Sequence, residues 1–256
     1  MSVRPRVIPT LLIDEGDLVK TKGFRNPNYL GDPINAIKIF NEKGVDELCI
    51  LDITASRNRC VPDMNLLKKM ATEAFMPLSY GGGINSIDQV KEIFYIGFEK
   101  IIINTALVNN PGLVQEVVSY FGTQSIVASI DYKRKWGRDW CYVMDGTQRT
   151  EYSPLDLATK AEQMGVGEIL LYNIERDGMR RGYDLKTIFA ITKKIDIPLI
   201  ACGGARNIED FRRALDAGAH AVAAGSIFVY FGKKNAVLIN YPEESELTEK
   251  GIYMED

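Results

Sequence analysis

Three aspartates stand where apolar runs of this sequence end or where the next loop begins. Asp131 ends one such run directly, whereas Asp52 and Asp177 lie in the segments 51–53 and 176–178. A carboxylate in such a place can give a proton to, or take one from, a substrate that other groups hold. We therefore predict acid–base roles for Asp131 and Asp177 and a substrate-binding role for Asp52. A loop or helix cap is the alternative for Asp52 and Asp177.

Glycines recur after two apolar runs, in the segments 81–83 and 203–204. Gly203 lies 121 residues (203 − 82) after Gly82, and Ser226 lies 121 residues (226 − 105) after Thr105. Backbone N–H groups at glycines can approach a ligand oxygen closely, and a helix N-terminus favours an anion. Tight turns explain either glycine pair alone, but the shared spacing favours two phosphate sites. The residues that would form them are Gly82, Gly83, Asn104, Thr105, Gly203, Gly204, Gly225 and Ser226.

Lys20 follows the first apolar run of the chain. Its ammonium group would neutralise a phosphate or hold a loop over one. A solvated lysine is the alternative.

The elements that position these residues alternate between short runs rich in Val, Ile and Leu and longer amphipathic segments. This order predicts eight strands with helices between them, and therefore an α/β protein folded as a single (β/α)8 (TIM) barrel. In such a barrel the chemistry lies on loops that follow the carboxyl ends of the strands. The predicted strands are 6–13, 47–53, 77–80, 100–104, 125–130, 168–173, 198–201 and 221–225.

Helix signals support the same order of elements. A Ser, Asp or Asn that can cap the first turn precedes several amphipathic segments, and Gly follows the last turn of several. The predicted helices are 33–43, 64–74, 87–96, 112–121, 154–164, 185–195 and 208–217, with a short final helix from Ser226. The repeat predicts one domain over 1–256, built from half-barrels over about 1–122 and 123–232. A C-terminal tail over 233–256 follows them, and it diverges from the family pattern described below.

Composition excludes several classes of function. The 256 residues carry a net charge of −3 with both signs interspersed, which disfavours nucleic acid or an anionic membrane as the main partner. The four cysteines have no CxxC spacing and are expected to be reduced thiols. No apolar run approaches the ~18–20 residues of a membrane span, so we expect a cytoplasmic protein.

The single histidine, His220, precedes the eighth predicted strand at the end of the barrel opposite the expected chemistry. We therefore expect a structural role for it. Neither a Ser-His-Asp arrangement nor an HExxH motif is present, and we expect no metal and no cofactor.

The motifs along the chain resemble those of the HisF-like cyclase subunit of imidazole glycerol phosphate synthase, from about residue 4 to residue 232. They are Arg6-Val7-Ile8-Pro9, Val19-Lys20, Gly31-Asp32-Pro33, Asp46-Glu47-Leu48, Leu51-Asp52-Ile53-Thr54-Ala55, Gly81-Gly82-Gly83-Ile84, Ile103-Asn104-Thr105-Ala106, Arg176-Asp177-Gly178 and Gly182-Tyr183-Asp184. The resemblance implies a lyase-type barrel of two similar halves that binds a substrate with two phosphates. It also implies a heterodimer with a glutaminase subunit that supplies ammonia, and it adds Gly178 to the anion-binding residues.

In that family ammonia enters the bottom of the barrel through a ring of charged side chains. The positions that match the ring here are Arg6, Glu47, Lys100 and Glu168. Four charges at strand starts could also be simple surface ion pairs, which contribute little when they are exposed. The match of two basic and two acidic residues favours an ammonia gate where a glutaminase docks.

The sequence departs from the cyclase pattern at its first catalytic aspartate, where Leu12 stands. Losing one of two acid–base groups typically costs about 10²–10⁴ in rate, so we expect inefficient cyclisation. Thr21, Tyr172, Asn173, Met179 and the tail depart as well. These features resemble a paralogous branch from bacterial surface-polysaccharide clusters, in which the barrel and its glutaminase serve a sugar amidotransferase that turns an acetamido group into an acetamidino group.

Three hypotheses follow from this resemblance. The leading one is an ammonia-supplying synthase subunit of the amidation branch. The second is a working cyclase of histidine biosynthesis, making imidazole glycerol phosphate and aminoimidazole carboxamide ribotide with Asp131 alone or with an acid from elsewhere. The third is a barrel without chemistry that acts as a scaffold or conduit between the two partners.

Overall fold

Eight parallel strands close into a barrel in the computed structural model, which describes residues 4–232 and 234–254. The strands are β1 (Arg6–Asp14), β2 (Leu48–Asp52), β3 (Leu78–Gly81), β4 (Lys100–Ile103), β5 (Ile126–Lys135), β6 (Glu168–Asn173), β7 (Leu199–Cys202) and β8 (Ala221–Ala224). Each strand pairs in parallel with the next, and β8 pairs with β1 to complete the circle. The predicted (β/α)8 barrel is thereby confirmed. The ends of the predicted domain, and Lys233 at the start of the predicted tail, lie outside the described residues.

Helices cover the barrel between consecutive strands. The longer ones are Pro33–Glu42, Met64–Glu73, Ile87–Ile96, Pro111–Phe121, Pro154–Gln163, Leu185–Thr192 and Ile208–Asp216. Shorter ones are Ile53–Asn58, Thr105–Asn109, Ser226–Val229 and Glu244–Glu249, with single 3₁₀ turns at Thr123–Ser125 and Ile174–Arg176. Within the described ranges no helix is long and apolar enough to cross a membrane.

Local capping explains where these helices begin. Ser86 accepts a hydrogen bond from the Gln89 N–H, and the Gln89 side chain accepts one in return from the Ser86 backbone. The helix from Leu185 ends three residues earlier than predicted, at Thr192. The following turn is held instead by Glu162, whose carboxylate accepts from the Asp196 backbone N–H at 2.7 Å.

Alternation along each strand divides the core into two layers. On β1, Val7 and Leu11 pack outward against the helices, whereas Ile8 faces the barrel interior. On β5, Val127 faces the interior and Ile130 faces the helices. Because side chains alternate along a strand, Leu12 and Asp131 also face the interior, each near the carboxyl end of the barrel.

Two antiparallel extensions were not predicted from the sequence. After β1 the chain forms a hairpin of Asp17–Lys22 with Arg25–Gly31. Strand β5 runs past its predicted end at residue 130 because its second half pairs with Arg138–Val143, which in turn pairs with Gln148–Arg149. Asp131 therefore lies inside a strand and not at its end. Just before the tail, Tyr230–Phe231 pairs with Ala236–Val237 of the tail.

Candidate active site

A cavity of about 280 Å³ opens at the carboxyl ends of the first six barrel strands. It brings together six of the residues predicted for a site, namely Asp52, Gly82, Gly83, Asn104, Thr105 and Asp131. Leu12, Ser129, Asp145 and Tyr172 also line it. The cavity is close to the size of a small-molecule site, and carboxylates are the main charged groups that reach into it.

Asp131 is the buried carboxylate of this cavity, with 8% of its surface exposed. Its Oδ1 accepts a hydrogen bond from the Ser129 Oγ at 2.7 Å. Burial raises the pKa of Asp131 to about 7, and the charges of Asp145 and Asp177 act in the same direction against the Ser129 hydrogen bond. A carboxyl group with such a pKa exchanges its proton near neutral pH, as a general acid or base must.

Leu12 occupies the position on β1 where the cyclase pattern has its other aspartate, and it is 3% exposed. It packs with Val19 and Ile53, and of these three residues Leu12 and Ile53 line the cavity. Asp14 is the next carboxylate on the same strand face, but its Oδ1 accepts from Thr54 Oγ1 at 2.7 Å outside the cavity lining. Strand β1 therefore places no carboxylate opposite Asp131.

Asp145 is a cavity carboxylate that sequence reasoning missed. It sits in the turn after Arg138–Val143 with φ of 53°, and the Nε and NH2 groups of Arg57 donate to its Oδ2 at 3.2 and 2.9 Å. Burial raises the pKa of Asp145, and its contact with Arg57 opposes that rise. The Asp145-Gly146 pair marks a turn in the sequence, but nothing local shows that this turn folds over the barrel mouth.

Asp177 and Lys20 meet outside the cavity. Lys20 Nζ donates to Asp177 Oδ1 at 2.7 Å, Thr21 Oγ1 donates to Oδ2 at 2.7 Å, and the Tyr172 hydroxyl donates to Oδ1 at 3.0 Å. The alternative of a solvated lysine is wrong, because Lys20 lies buried within the first hairpin. The geometry favours Asp177 as an anchor for that hairpin over a role in proton transfer.

Asp52 both caps a helix and lines the cavity, so both roles considered for it from the sequence are compatible with its position. Its carboxylate caps the helix Ile53–Asn58 by accepting from the Ala55 N–H at 2.9 Å. It also lines the cavity, and burial raises its pKa.

The first glycine set lies in the cavity wall. Gly82 and Gly83 have φ of 136° and 67°, and a Cβ on them would come within 2.5 Å of the Asp52 carbonyl oxygen and 2.4 Å of the Cys60 carbonyl oxygen. Glycine is therefore required there by backbone packing as well as by any ligand. The polar side chains after β4 form hydrogen bonds with the protein backbone. Asn104 donates to the Ser129 carbonyl at 3.1 Å, and Thr105 accepts from the Met144 N–H at 3.1 Å.

The residues predicted for the second phosphate site, which follow β7 and β8, lie apart from this cavity. Gly203, Gly204, Gly225 and Ser226 follow β7 and β8, and Gly178 packs against the first hairpin. Arg180 donates to the Ser226 carbonyl at 3.1 Å, which places a guanidinium beside the short helix Ser226–Val229. The two predicted phosphate sites therefore do not share the 280 Å³ cavity.

A ring of four charged side chains closes the opposite end of the barrel. Arg6 donates to Glu47 and to Glu168, and Lys100 Nζ donates to the same two carboxylates at 3.1 Å each. Each cation thus touches both anions, and both glutamates are buried. A small cavity of about 10 Å³ lies directly inside the ring, lined mainly by apolar side chains with Glu47, Cys49 and Ser79.

His220 has a structural contact, as predicted from its position. Its Nδ1 accepts a hydrogen bond from the Leu199 N–H at 3.2 Å. The four cysteines are free, and Cys60 is the exposed one.

Comparison with known proteins connects this geometry to one family. Residues 6–235 match the family described as "Histidine biosynthesis protein". A provisionally named imidazole glycerol phosphate synthase subunit hisF2 of Pseudomonas aeruginosa is 47% identical over 250 residues, covering 96% of this chain and 98% of the relative. A provisionally named subunit HisF of Leptospira interrogans is 44% identical over 247 residues, covering 95% and 97%. The imidazole glycerol phosphate synthase subunit HisF of Frankia casuarinae is 40% identical over 237 residues, covering 91% and 93%.

Proposed function

This chain belongs to the HisF-like cyclase family of imidazole glycerol phosphate synthase, and from that premise we propose that it is the ammonia-accepting subunit of a glutamine-dependent synthase. The observation that carries the proposal is the ring of Arg6, Glu47, Lys100 and Glu168, in which every charge is paired and which closes the bottom of the barrel. The four residues come from the starts of four different strands, and each cation contacts both carboxylates, so they form one connected ring and not independent surface pairs. The ring places charged groups across the barrel axis at the end where the strands begin.

The interior behind the ring suits ammonia in its neutral form. The inner layer of the barrel is built mainly from Ile, Val, Leu and Ala side chains. Burying an unpaired ammonium ion costs several kcal/mol, whereas neutral NH₃ carries no such penalty. Ammonia that the partner releases as neutral NH₃ would cross this layer toward the cavity that contains Asp131.

Exposed aromatic side chains at the same end of the barrel support a glutaminase partner. Phe75 is 91% exposed and Tyr95 is 92% exposed. They lie where the helices Met64–Glu73 and Ile87–Ile96 end, which in a βα barrel is the side of the strand starts. Exposed aromatic residues are typical anchors of protein interfaces, and these two lie at the same end of the barrel as the ring.

Within the family, we propose the amidation branch for this chain. Leu12 leaves Asp131 without the opposing aspartate that the cyclase pattern supplies, and relatives with numbered paralogue names, hisF2 and hisF3, are 47% and 41% identical to it. The barrel would pass ammonia to a sugar amidotransferase that converts an acetamido group into an acetamidino group, in the cytoplasm. A phosphorylated ligand at the two glycine sets remains part of this proposal, and inorganic phosphate or a bisphosphate should then raise the melting temperature.

A working cyclase is the second candidate, and one observation favours it. Asp145 brings a carboxylate into the cavity of Asp131 from a different element, and the two carboxylates have different surroundings. Two carboxyl groups in unequal environments are the usual arrangement for an acid and a base. A conduit without chemistry is the third candidate, which predicts that Asp131→Asn leaves amidation unchanged.

Two experiments separate these candidates. The chain, its glutaminase and the sugar amidotransferase should together form the acetamidino product from glutamine, and free ammonia should replace the glutaminase. No product from glutamine in the complete complex would contradict the proposed role. Expression in a histidine auxotroph tests the cyclase, because growth without histidine would replace the amidation assignment by the second candidate.

A further inference from the structure

Two tyrosines of the tail, Tyr241 and Tyr253, are buried although most of the surrounding tail is exposed. Tyr241 is 5% exposed and Tyr253 is 4% exposed. Their hydroxyl oxygens are 3.4 Å apart. A buried phenol hydroxyl needs a hydrogen-bond partner, and both of these hydroxyls find one outside the tail.

Those partners lie next to the charged ring. The Tyr241 hydroxyl donates to the Val7 carbonyl at 2.9 Å, and the Tyr253 hydroxyl donates to Asp46 Oδ2 at 2.5 Å. The same Asp46 oxygen accepts from the Val7 N–H at 2.8 Å. The tail therefore holds both backbone polar groups of Val7, one directly and one through Asp46.

Val7 and Asp46 are the chain neighbours of two ring residues. Arg6 immediately precedes Val7 on β1, and Glu47 immediately follows Asp46 before β2. A backbone shift at Val7 or Asp46 would move Arg6 or Glu47 by a similar distance. Since Arg6 also donates to Glu168, the displacement would reach a third member of the ring.

Arg4 ties the same region to the tail helix Glu244–Glu249. Its guanidinium lies 3.6 Å from the centre of the Tyr253 ring and 3.6 Å from Asp46 Oδ1, and its NH1 donates to Glu244 at 2.9 Å. Burial and the neighbouring Asp46 raise the pKa of Tyr253 to about 12, so the phenol remains a donor at neutral pH. The contact is maintained across the physiological range.

We propose that Tyr241 and Tyr253 are positioning residues of the ammonia gate, which hold Arg6 and Glu47 in register through Val7 and Asp46. The proposal rests on the proposed function and extends it to the tail, the part of the chain that departs from the cyclase pattern. In this account the tail keeps the ring closed around its entrance, so that ammonia from the partner reaches the barrel interior and not the solvent.

The test compares Tyr253→Phe and Tyr241→Phe with Tyr230→Phe in the complete complex. Tyr230→Phe is the control. It also removes a hydroxyl that takes part in a hydrogen bond, since Asn28 Nδ2 donates to it at 3.1 Å, but this hydroxyl lies near the carboxyl ends of the strands and away from the ring. The ratio of glutamine-driven to ammonia-driven product should fall about fivefold in the two tail variants, as expected for one hydrogen bond worth ~1 kcal/mol. The ratio should stay at the wild-type value in Tyr230→Phe.

A second variant pair keeps the test decisive if a tyrosine variant loses stability. Asp46→Asn retains an acceptor for Val7 and Tyr253 and should keep the ratio near the wild-type value, whereas Asp46→Ala should lower it. Hydrogen exchange of the segment 4–11 provides a readout without substrate, and it should become faster in Tyr253→Phe.

The outcomes distinguish this inference from the function on which it rests. If the wild-type complex makes no product from glutamine, the proposed function fails. If the wild-type complex is coupled but Tyr253→Phe and Asp46→Ala keep both its ratio and its exchange rates, the positioning role is overturned.

Discussion

Lys20 Nζ donates to Asp177 Oδ1 at 2.7 Å in a site where both side chains are buried. The sequence suggested separate roles for them, a phosphate contact for one and proton transfer for the other. In the structure each neutralises the other, and Thr21 and Tyr172 complete the hydrogen bonds of the carboxylate. The pair fastens the first hairpin to the loop after β6.

Removing one partner of this pair should destabilise the protein strongly. Lys20→Met leaves a buried carboxylate without its cation, which typically costs about 3–5 kcal/mol. Urea denaturation should show the loss, and Lys22→Met, an exposed neighbour on the same strand, provides the matched control. A free energy of unfolding within ~1 kcal/mol of the wild type would show that the pair does not hold the hairpin.

The ionisation of Asp131 should make stability depend on pH. Its folded pKa of about 7 lies above the ordinary value of about 3.9, so its carboxyl form is favoured in the folded state. The contribution of Asp131 to the free energy of unfolding is therefore fully present below about pH 4, and it is lost as the pH rises to about 7.

Asp131→Asn removes this titration while it keeps the shape of the side chain. The free energy of unfolding of the wild type should therefore fall relative to that of Asp131→Asn between about pH 4 and pH 7. Denaturation curves at several pH values measure the difference. A difference that is constant over this window would mean that Asp131 is an ordinary ionised carboxylate.

Restoring the aspartate at position 12 should favour cyclisation. Leu12→Asp places a second carboxyl group on β1 in the cavity of Asp131, and an acid–base group of this kind is worth about 10²–10⁴ in rate. The variant should support growth of a histidine auxotroph better than the wild type does. Leu12→Asn has a similar shape without the proton-transfer group, and equal growth with both variants would exclude an acid–base explanation.

Exposed aromatic side chains at the bottom of the barrel should contribute to glutaminase binding. Tyr95→Ala is expected to weaken the complex by about 2 kcal/mol, or roughly 30-fold in Kd, as a central aromatic anchor does. Titration calorimetry gives the Kd directly. Phe231→Ala is the control, because Phe231 is also exposed but follows the helix Ser226–Val229 at the other end of the barrel. Equal affinities for both variants would place the partner elsewhere.

The barrel strands were predictable because the pattern of apolar residues that specifies each strand lies within a few consecutive residues. Each apolar run matches one strand to within a few residues, and Ser86 and Ser153 mark helix starts through capping contacts that depend on a few neighbouring residues. Asp131 could be assigned to the candidate site for the same reason. Side chains alternate along a strand, so its place in the apolar run predicts that its side chain faces the barrel interior.

The remaining parts of the site depend on contacts between distant segments. The pairing of Asp131 with Tyr142 extends β5, yet residues 132–135 read as a polar loop. Asp145 reaches the cavity only because that hairpin folds back over the barrel, and Arg57, 88 residues away, holds it there. Lys20 is buried because Asp177, 157 residues later, neutralises it. Local patterns carry no signal for such pairs.

Lys100→Glu tests the proposed ammonia gate at the charged ring most directly. The substitution adds a third carboxylate where Lys100 now contacts Glu47 and Glu168 at 3.1 Å each. Lys91→Glu is the control, because it reverses an exposed lysine on the neighbouring helix Ile87–Ile96.

The measurement is product formation by the complex at saturating partner, driven either by glutamine or by free ammonia. Like charges brought together cost several kcal/mol, so the glutamine-driven rate of Lys100→Glu should fall about 10-fold or more while its ammonia-driven rate stays close to that of the wild type. An equal loss with both nitrogen sources would contradict an ammonia gate at this ring.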